Sequence, residues 1–126
     1  MSESAKKVLC EYLDSVLEDN MDNLSSICDF PFSVITLYES ITVAGESELI
    51  KMFKQATDSF RNQGLSVSYE KEKFEVLNIQ DNVKLIRAVL AKHDAKKEII
   101  GTWNCTYLLI MKDHKWVVFV AASDKE

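Results

Sequence analysis

The chain has 126 residues, 47% of them apolar, with 20 acidic residues against 15 basic ones and a net charge of −5. That is enough apolar material for the core of one domain spanning 1–126, and the acidic balance, with basic residues spread along the chain, argues against nucleic acid as a partner. No apolar run approaches the roughly 20 residues of a membrane-spanning helix, and Met1 to Lys7 lacks the apolar segment of a signal peptide, so the expectation is a cytoplasmic protein without membrane association.

Val8-Leu9, Tyr12-Leu13 and Val16-Leu17 recur every four residues with Glu11, Asp14, Ser15 and Glu18 between them, which predicts an amphipathic helix from about Glu3 to Asp19. Asn20 to Asp22 can cap a short second helix carrying Leu24, Ile27 and Cys28, and Pro31 stops it because the residue before a proline avoids helical dihedrals. From Phe32 to Val43 the residues are mostly β-branched and aromatic with a break at Glu39-Ser40, a pattern that predicts a hairpin of two short strands. Gly45 to Glu48 opens a third helix with Leu49, Ile50, Met52, Phe53, Ala56 and Phe60 on one face, acids at its positive end and Gly64 as its stop.

Beyond Gly64 four strands follow, Ser66 to Ile79, Val83 to Lys92, Glu98 to Lys112 and Lys115 to Ser123, joined by short turns as an antiparallel meander. The first changes phase between Tyr69 and Phe74, which predicts a bulge, and its Glu70 to Lys73 charge run suits an edge strand. The three cysteines, Cys10, Cys28 and Cys105, have no C-x-x-C spacing and sit among apolar residues, so they read as reduced core thiols. His93 and His114 lie in turn-like stretches, and no metal or other cofactor is expected.

The order of helix, short helix, hairpin, long helix and four-strand meander, with Asn20 to Leu24 after the first helix and Val43-Ala44-Gly45 before the third, resembles the nuclear transport factor 2-like superfamily over nearly the whole chain. The resemblance implies an α+β, cystatin-like fold of three helices and six strands. In it a curved mixed sheet wraps the long helix as a cone, with a pocket mouth near helix one and the first hairpin. That superfamily includes ketosteroid isomerase, scytalone dehydratase, SnoaL-like polyketide cyclases, limonene epoxide hydrolase and many binding or transport proteins, so it fixes architecture better than activity.

In ketosteroid isomerase a tyrosine of helix one and an acid on the third meander strand hold an enolate, and a carboxylate on the first strand is the base. Counting from the neighbouring landmarks, those positions fall on Tyr12, Thr106 and Thr36. A threonine hydroxyl cannot take a proton from a carbon acid near neutral pH, so the isomerase mechanism is disfavoured. The dehydratase needs a histidine and an acid in the pocket. The epoxide hydrolase needs an Asp-Arg-Asp set, and only Arg87 is in place, with no acid inside the two following strands.

With Thr106 turned inward, alternation sends Thr102 and Asn104 the same way and brings Phe119 in from the last strand, which gives a ligand-binding set of Tyr12, Thr36, Thr102, Asn104, Thr106 and Phe119. The opposite face then carries Trp103, Cys105, Tyr107, Leu109, Trp116 and Val118, an apolar surface that predicts a homodimer through the convex side of the sheet. The alternative is that a bulge inverts this parity, the apolar set forms the core, and the polar stripe faces water. Three functions stay open: binding of a small, largely apolar or polyketide-like molecule in the cone, a non-enzymatic homodimeric interaction module with a closed cone, or an isomerase, cyclase or lyase acting on a ketone or polyketide-like substrate.

Overall fold

The computed structural model describes residues 2–124. In chain order these form α1 (Ser2–Leu17), α2 (Met21–Ile27), β1 (Cys28–Ile35), β2 (Ser40–Val43), α3 (Glu46–Asn62), β3 (Ser66–Tyr69), a 3₁₀ turn (Lys71–Lys73), β4 (Glu75–Gln80), β5 (Val83–His93), β6 (Ile99–Lys112) and β7 (Lys115–Ser123). The strand order is β2-β1-β7-β6-β5-β3, with β4 also paired to β5. β1 runs parallel to β7 and every other pair is antiparallel, so the sheet is mixed.

Local chemistry explains the element ends. The Asn20 side chain accepts from the Asn23 backbone N–H at 3.3 Å, capping α2. Gly64, at φ +72, closes α3: its N–H donates to the Arg61 carbonyl and the Leu65 N–H to the Phe60 carbonyl, a left-handed cap that a residue with a Cβ would strain. Two sequence expectations are corrected here. The strand expected from Ser66 to Ile79 is broken into β3 and β4 by the Lys71–Lys73 turn, so the sheet has seven strands instead of six. α2 ends at Ile27 and β1 begins at Cys28, ahead of Pro31, which sits in the strand where its register with β7 shifts and no ladder N–H is required of it.

The core joins Leu9 of α1, Leu24 of α2 and Leu49 of α3 to Phe32, Ile86, Leu109 and Val118 of the sheet, all fully buried. Burying each such side chain is worth about 1.5–3 kcal/mol. The inner face of β6 is its odd-numbered face. Cys105, Tyr107 and Leu109 are buried and Trp103 is packed against them, while Ala88, Ile86 and Lys84 of β5 stand opposite Cys105, Tyr107 and Leu109.

The strand parity that placed Trp103, Cys105, Tyr107, Leu109, Trp116 and Val118 on an outer face is therefore corrected: these side chains face the core. Thr102, Asn104 and Thr106 point the other way, with Arg87 opposite Thr106. In β7, Val118 pairs with Leu109 and Val120 with Leu108, which leaves Phe119 as an extra, half-buried residue between them. Beyond that bulge Ala121 and Ser123 stand opposite Tyr107 and Cys105 and return to the inner side. No helix among the described residues is long and apolar enough to cross a membrane.

Candidate functional site

Between α1, α3 and the inner face of the sheet lies a cavity of about 450 Å³, within the range of small-molecule sites. α1 contributes Tyr12, Leu13 and Val16 from the face that its four-residue repeat creates, and α3 contributes Phe53, Ala56 and Phe60 from its own stripe. The sheet supplies Trp103, Cys105 and Tyr107 of β6, with Val34, Val67, Leu90 and Ala121 from its neighbours. Ala56, Arg61 and Ser66 are exposed, whereas Tyr12 and Tyr107 are 2% and 3% exposed, so the cavity runs from a rim on α3 and β3 to an aromatic floor.

At that floor the Tyr12 ring lies 5.5 Å from Tyr107 and 6.2 Å from Phe53, both edge-on, and is stacked at 6.3 Å on Phe32. These are favoured aromatic geometries, each worth about 0.5–1.5 kcal/mol beyond area burial. Burial pushes both phenols well above their ordinary range, with the nearby cysteines adding to the effect, so both are neutral hydrogen-bond donors at physiological pH. The Leu109, Lys84 and Trp116 end of the sheet's inner face is packed: the Lys84 ammonium lies 5.4 Å from the Trp116 ring centroid and hydrogen-bonds the Asn78 side chain.

Of the ligand-binding residues expected from sequence, Tyr12 alone lines this cavity. Thr36 lies at the β1–β2 turn, where its hydroxyl accepts from the Glu39 N–H at 3.2 Å and the Tyr38 N–H at 3.3 Å. Thr106 is on the outer face, Phe119 sits in the β7 bulge, and Thr102 and Asn104 border a separate polar recess with Lys92 and Asp124. Tyr12, Thr36 and Thr106 therefore do not converge, because a one-residue error in register turns every side chain of a strand to the other face. The first hairpin contributes only Val34, so the expected mouth moves away from the hairpin to the rim on α3 and β3.

The residues missed were Trp103, Cys105 and Tyr107, whose alternation with Thr102, Asn104 and Thr106 is an ordinary apolar-in, polar-out strand pattern. Among the described residues, no Asp, Glu or His lines the cavity, and Arg61 is its one charged lining residue. His93 meets Ser68 Oγ at 2.7 Å on the β5–β3 ladder, and His114 is in the last turn.

Burial raises the Cys105 thiol, pushes Cys28 up to about 12, and raises half-buried Cys10. A neutral, enclosed thiol is a poor nucleophile. Alkylation at pH 8 is expected to reach Cys10 first and slowly, with Cys28 and Cys105 modified only on unfolding, as peptide mapping of a time course would reveal; rapid labelling of Cys105 in the native state would mean that the cavity floor is open to solvent.

Several solved structures share the fold. A protein of unknown function with a cystatin-like fold from Nostoc punctiforme superposes with a TM-score of 0.79 at 10% identity, over 99% of this chain and 90% of that one. An NTF2-like protein from Novosphingobium aromaticivorans gives 0.79 at 9% identity over 98% and 80%. A ketosteroid isomerase-like protein from Erwinia carotovora atroseptica gives 0.72 at 11% identity over 98% and 94%. No curated protein matches the sequence. The profile of one family, described as NTF2-like protein (DUF6841), matches residues 2–126, and on that match, with the helix-lined mixed sheet described above, the chain belongs to the NTF2-like DUF6841 family.

Proposed function

We propose that the protein binds a small, largely apolar molecule in its cone and orients it, without a general base of its own. The observation that carries this reading is the cavity of about 450 Å³ with an aliphatic and aromatic lining and two neutral phenols at its floor. Proton transfer from a carbon acid needs a group that accepts a proton near neutral pH. On the two strands to which the isomerase resemblance assigns carboxylates, the cavity wall offers Val34 of β1 and Cys105 and Tyr107 of β6. Shape holds an apolar group against this floor, and the Tyr12 hydroxyl can donate to a carbonyl or hydroxyl on a ligand that carries one at its inner end.

A thermal-shift panel of hydroxylated aromatics, sterols, fatty acids and ketones tests this. A ligand at one hundred times its Kd stabilises the folded state by about 2.7 kcal/mol. Tyr12→Phe is expected to keep the fold and weaken a carbonyl ligand by about 5- to 10-fold, the worth of one hydrogen bond. No shift across the panel would remove the binding reading, and turnover of a 5-ene-3-ketosteroid well above buffer would refute the non-catalytic part of it.

A second reading, a homodimer, is favoured by the outer face of the sheet. Leu77, Ile79 and Val89 are 58%, 49% and 36% exposed, and Leu85, Leu108 and Ile110 lie among them on the same side. Leu77, Leu85 and Leu108 stand side by side across three strands, with Arg87 between them and Val89, and an exposed apolar patch of this kind usually marks an interface, which two-fold pairing of identical faces most commonly covers.

A further inference from the structure

Arg61 stands in the last turn of α3 at the cavity's exposed rim. Its Nη1 lies 3.1 Å from Asp19 Oδ2, which also meets Lys54 Nζ at 3.3 Å. Burial opposes ionisation of Asp19, but these two cations outweigh it and hold the carboxyl below its ordinary value. Two cations therefore share one oxygen, and of the two only Arg61 borders the cavity.

The Arg61 and Lys54 side chains are 51% and 54% exposed. Asp19 is 19% exposed, so the pair is partly shielded, but it engages the guanidinium through Nη1, and the half-exposed guanidinium has further N–H groups to offer a second anion. Its planar fork presents five N–H groups and matches a carboxylate with two parallel hydrogen bonds. No acidic side chain is among the described lining residues, so the competitor for an anion arriving there is Asp19, whose charge two cations already share.

Resting on the apolar-ligand reading above, we propose that the cavity takes an apolar monocarboxylic acid tail-first, with its chain or ring against Phe53, Trp103 and Tyr107 and its carboxylate on the guanidinium of Arg61 at the rim. The acid and the wall divide the task. The wall supplies apolar area and selects by shape, and Arg61 fixes which end points outward. A neutral molecule of the same shape gains the first contribution and not the second.

Matched probes separate the two contributions: decanoate with decanol, and naphthylacetate with naphthylethanol, titrated calorimetrically near neutral pH. In the unmodified protein each acid is expected to bind about tenfold tighter than its alcohol, the worth of one charge-assisted contact at a partly exposed site. Arg61→Gln is expected to erase that difference while leaving the alcohols unchanged, Arg61→Lys to restore part of it, and Asp19→Asn to strengthen the acids by freeing the fork. Added salt is expected to weaken the acids and not the alcohols.

Equal binding of acid and alcohol in the unmodified protein, or an acid preference that survives Arg61→Gln, would overturn carboxylate recognition while the apolar-ligand reading stands. Loss of both probes in Arg61→Gln would show that Arg61 only holds the rim together, and would overturn it too. If none of the four probes binds, the apolar-ligand reading itself falls and takes this inference with it.

Discussion

Phe32→Ala is expected to destabilise the protein by about 3–5 kcal/mol, the range for a large aromatic truncated in a closed core. Phe32 is fully buried, stacked at 6.3 Å on Tyr12 of α1 and edge-on at 6.2 Å to Phe53 of α3. One ring thus ties the hairpin to both helices that wall the cavity. Its loss removes transferred apolar area and two aromatic contacts, and leaves a void next to space that is already empty. Two-state unfolding in urea is the measurement, with a fall of Tm of roughly 10–20 °C as its thermal counterpart. Leu37→Ala, at a side chain 54% exposed in the β1–β2 turn and away from the outer face of the sheet, is the control and is expected to change stability by no more than about 0.5 kcal/mol. A Phe32→Ala loss as small as the control's would mean that the hairpin does not close the core as described.

The second large effect separates the two faces of the sheet. Trp103→Glu places a carboxylate in the cavity wall, where burial of an unpaired charge and the loss of aromatic area act together, and it is expected to abolish ligand binding without altering oligomeric state. Leu108→Glu places the same charge on the outer face, between Leu85 and Val120. It is expected to convert a dimer to a monomer while ligand binding persists. Sedimentation at micromolar concentration reads the first quantity and a thermal shift with a saturating ligand the second. A stable interface buries about 800 Å² on each partner, and a charge at its centre costs several kcal/mol. A monomer in the unmodified protein would end the dimer proposal. Dissociation by Trp103→Glu and not by Leu108→Glu would mean that the sheet presents its other face.

The contrast between these two variants also marks where the sequence is legible. Elements with a strong period or an unambiguous stop are readable: the four-residue repeat of α1, the apolar stripe of α3 between Gly45 and Gly64, and the meander turns at Gln80 to Asn82 and Asp113-His114. The break at Lys71–Lys73 is readable only as a disturbance of phase, because a bulge and a 3₁₀ turn shift the alternation in the same way. Site residues fare worse. A superfamily position counted from a turn carries an error of one residue, harmless on a helix boundary but decisive on a strand, where it exchanges Tyr107 for Thr106 and the core for the surface. The competing signal was present, since Arg87 of β5 shares a face with Thr106, and the large apolar side chains of β6 share the other with Ile86 and Leu90. A strand with one polar and one apolar side buries the apolar side unless a partner covers it. Tyr12 was readable because the helical repeat fixes its face independently of any count.

What no periodicity conveys is the rim. Arg61 and Asp19 are 42 residues apart, and nothing in either neighbourhood announces that the end of α1 meets the end of α3. Their pairing follows from packing of the two helices against one sheet face, a tertiary fact.

The central claim, that the interior of the cone is a binding site for an apolar molecule, is tested most directly by methyl-detected NMR during titration with naphthylacetate. Saturable shifts are expected at Val16, Val34, Leu90 and Ala121, which line the cavity, with Leu77 and Leu108 on the outer face unmoved. Shifts confined to Leu77, Leu108 and their outer-face neighbours, or none at any methyl up to the solubility of the probe, would contradict it.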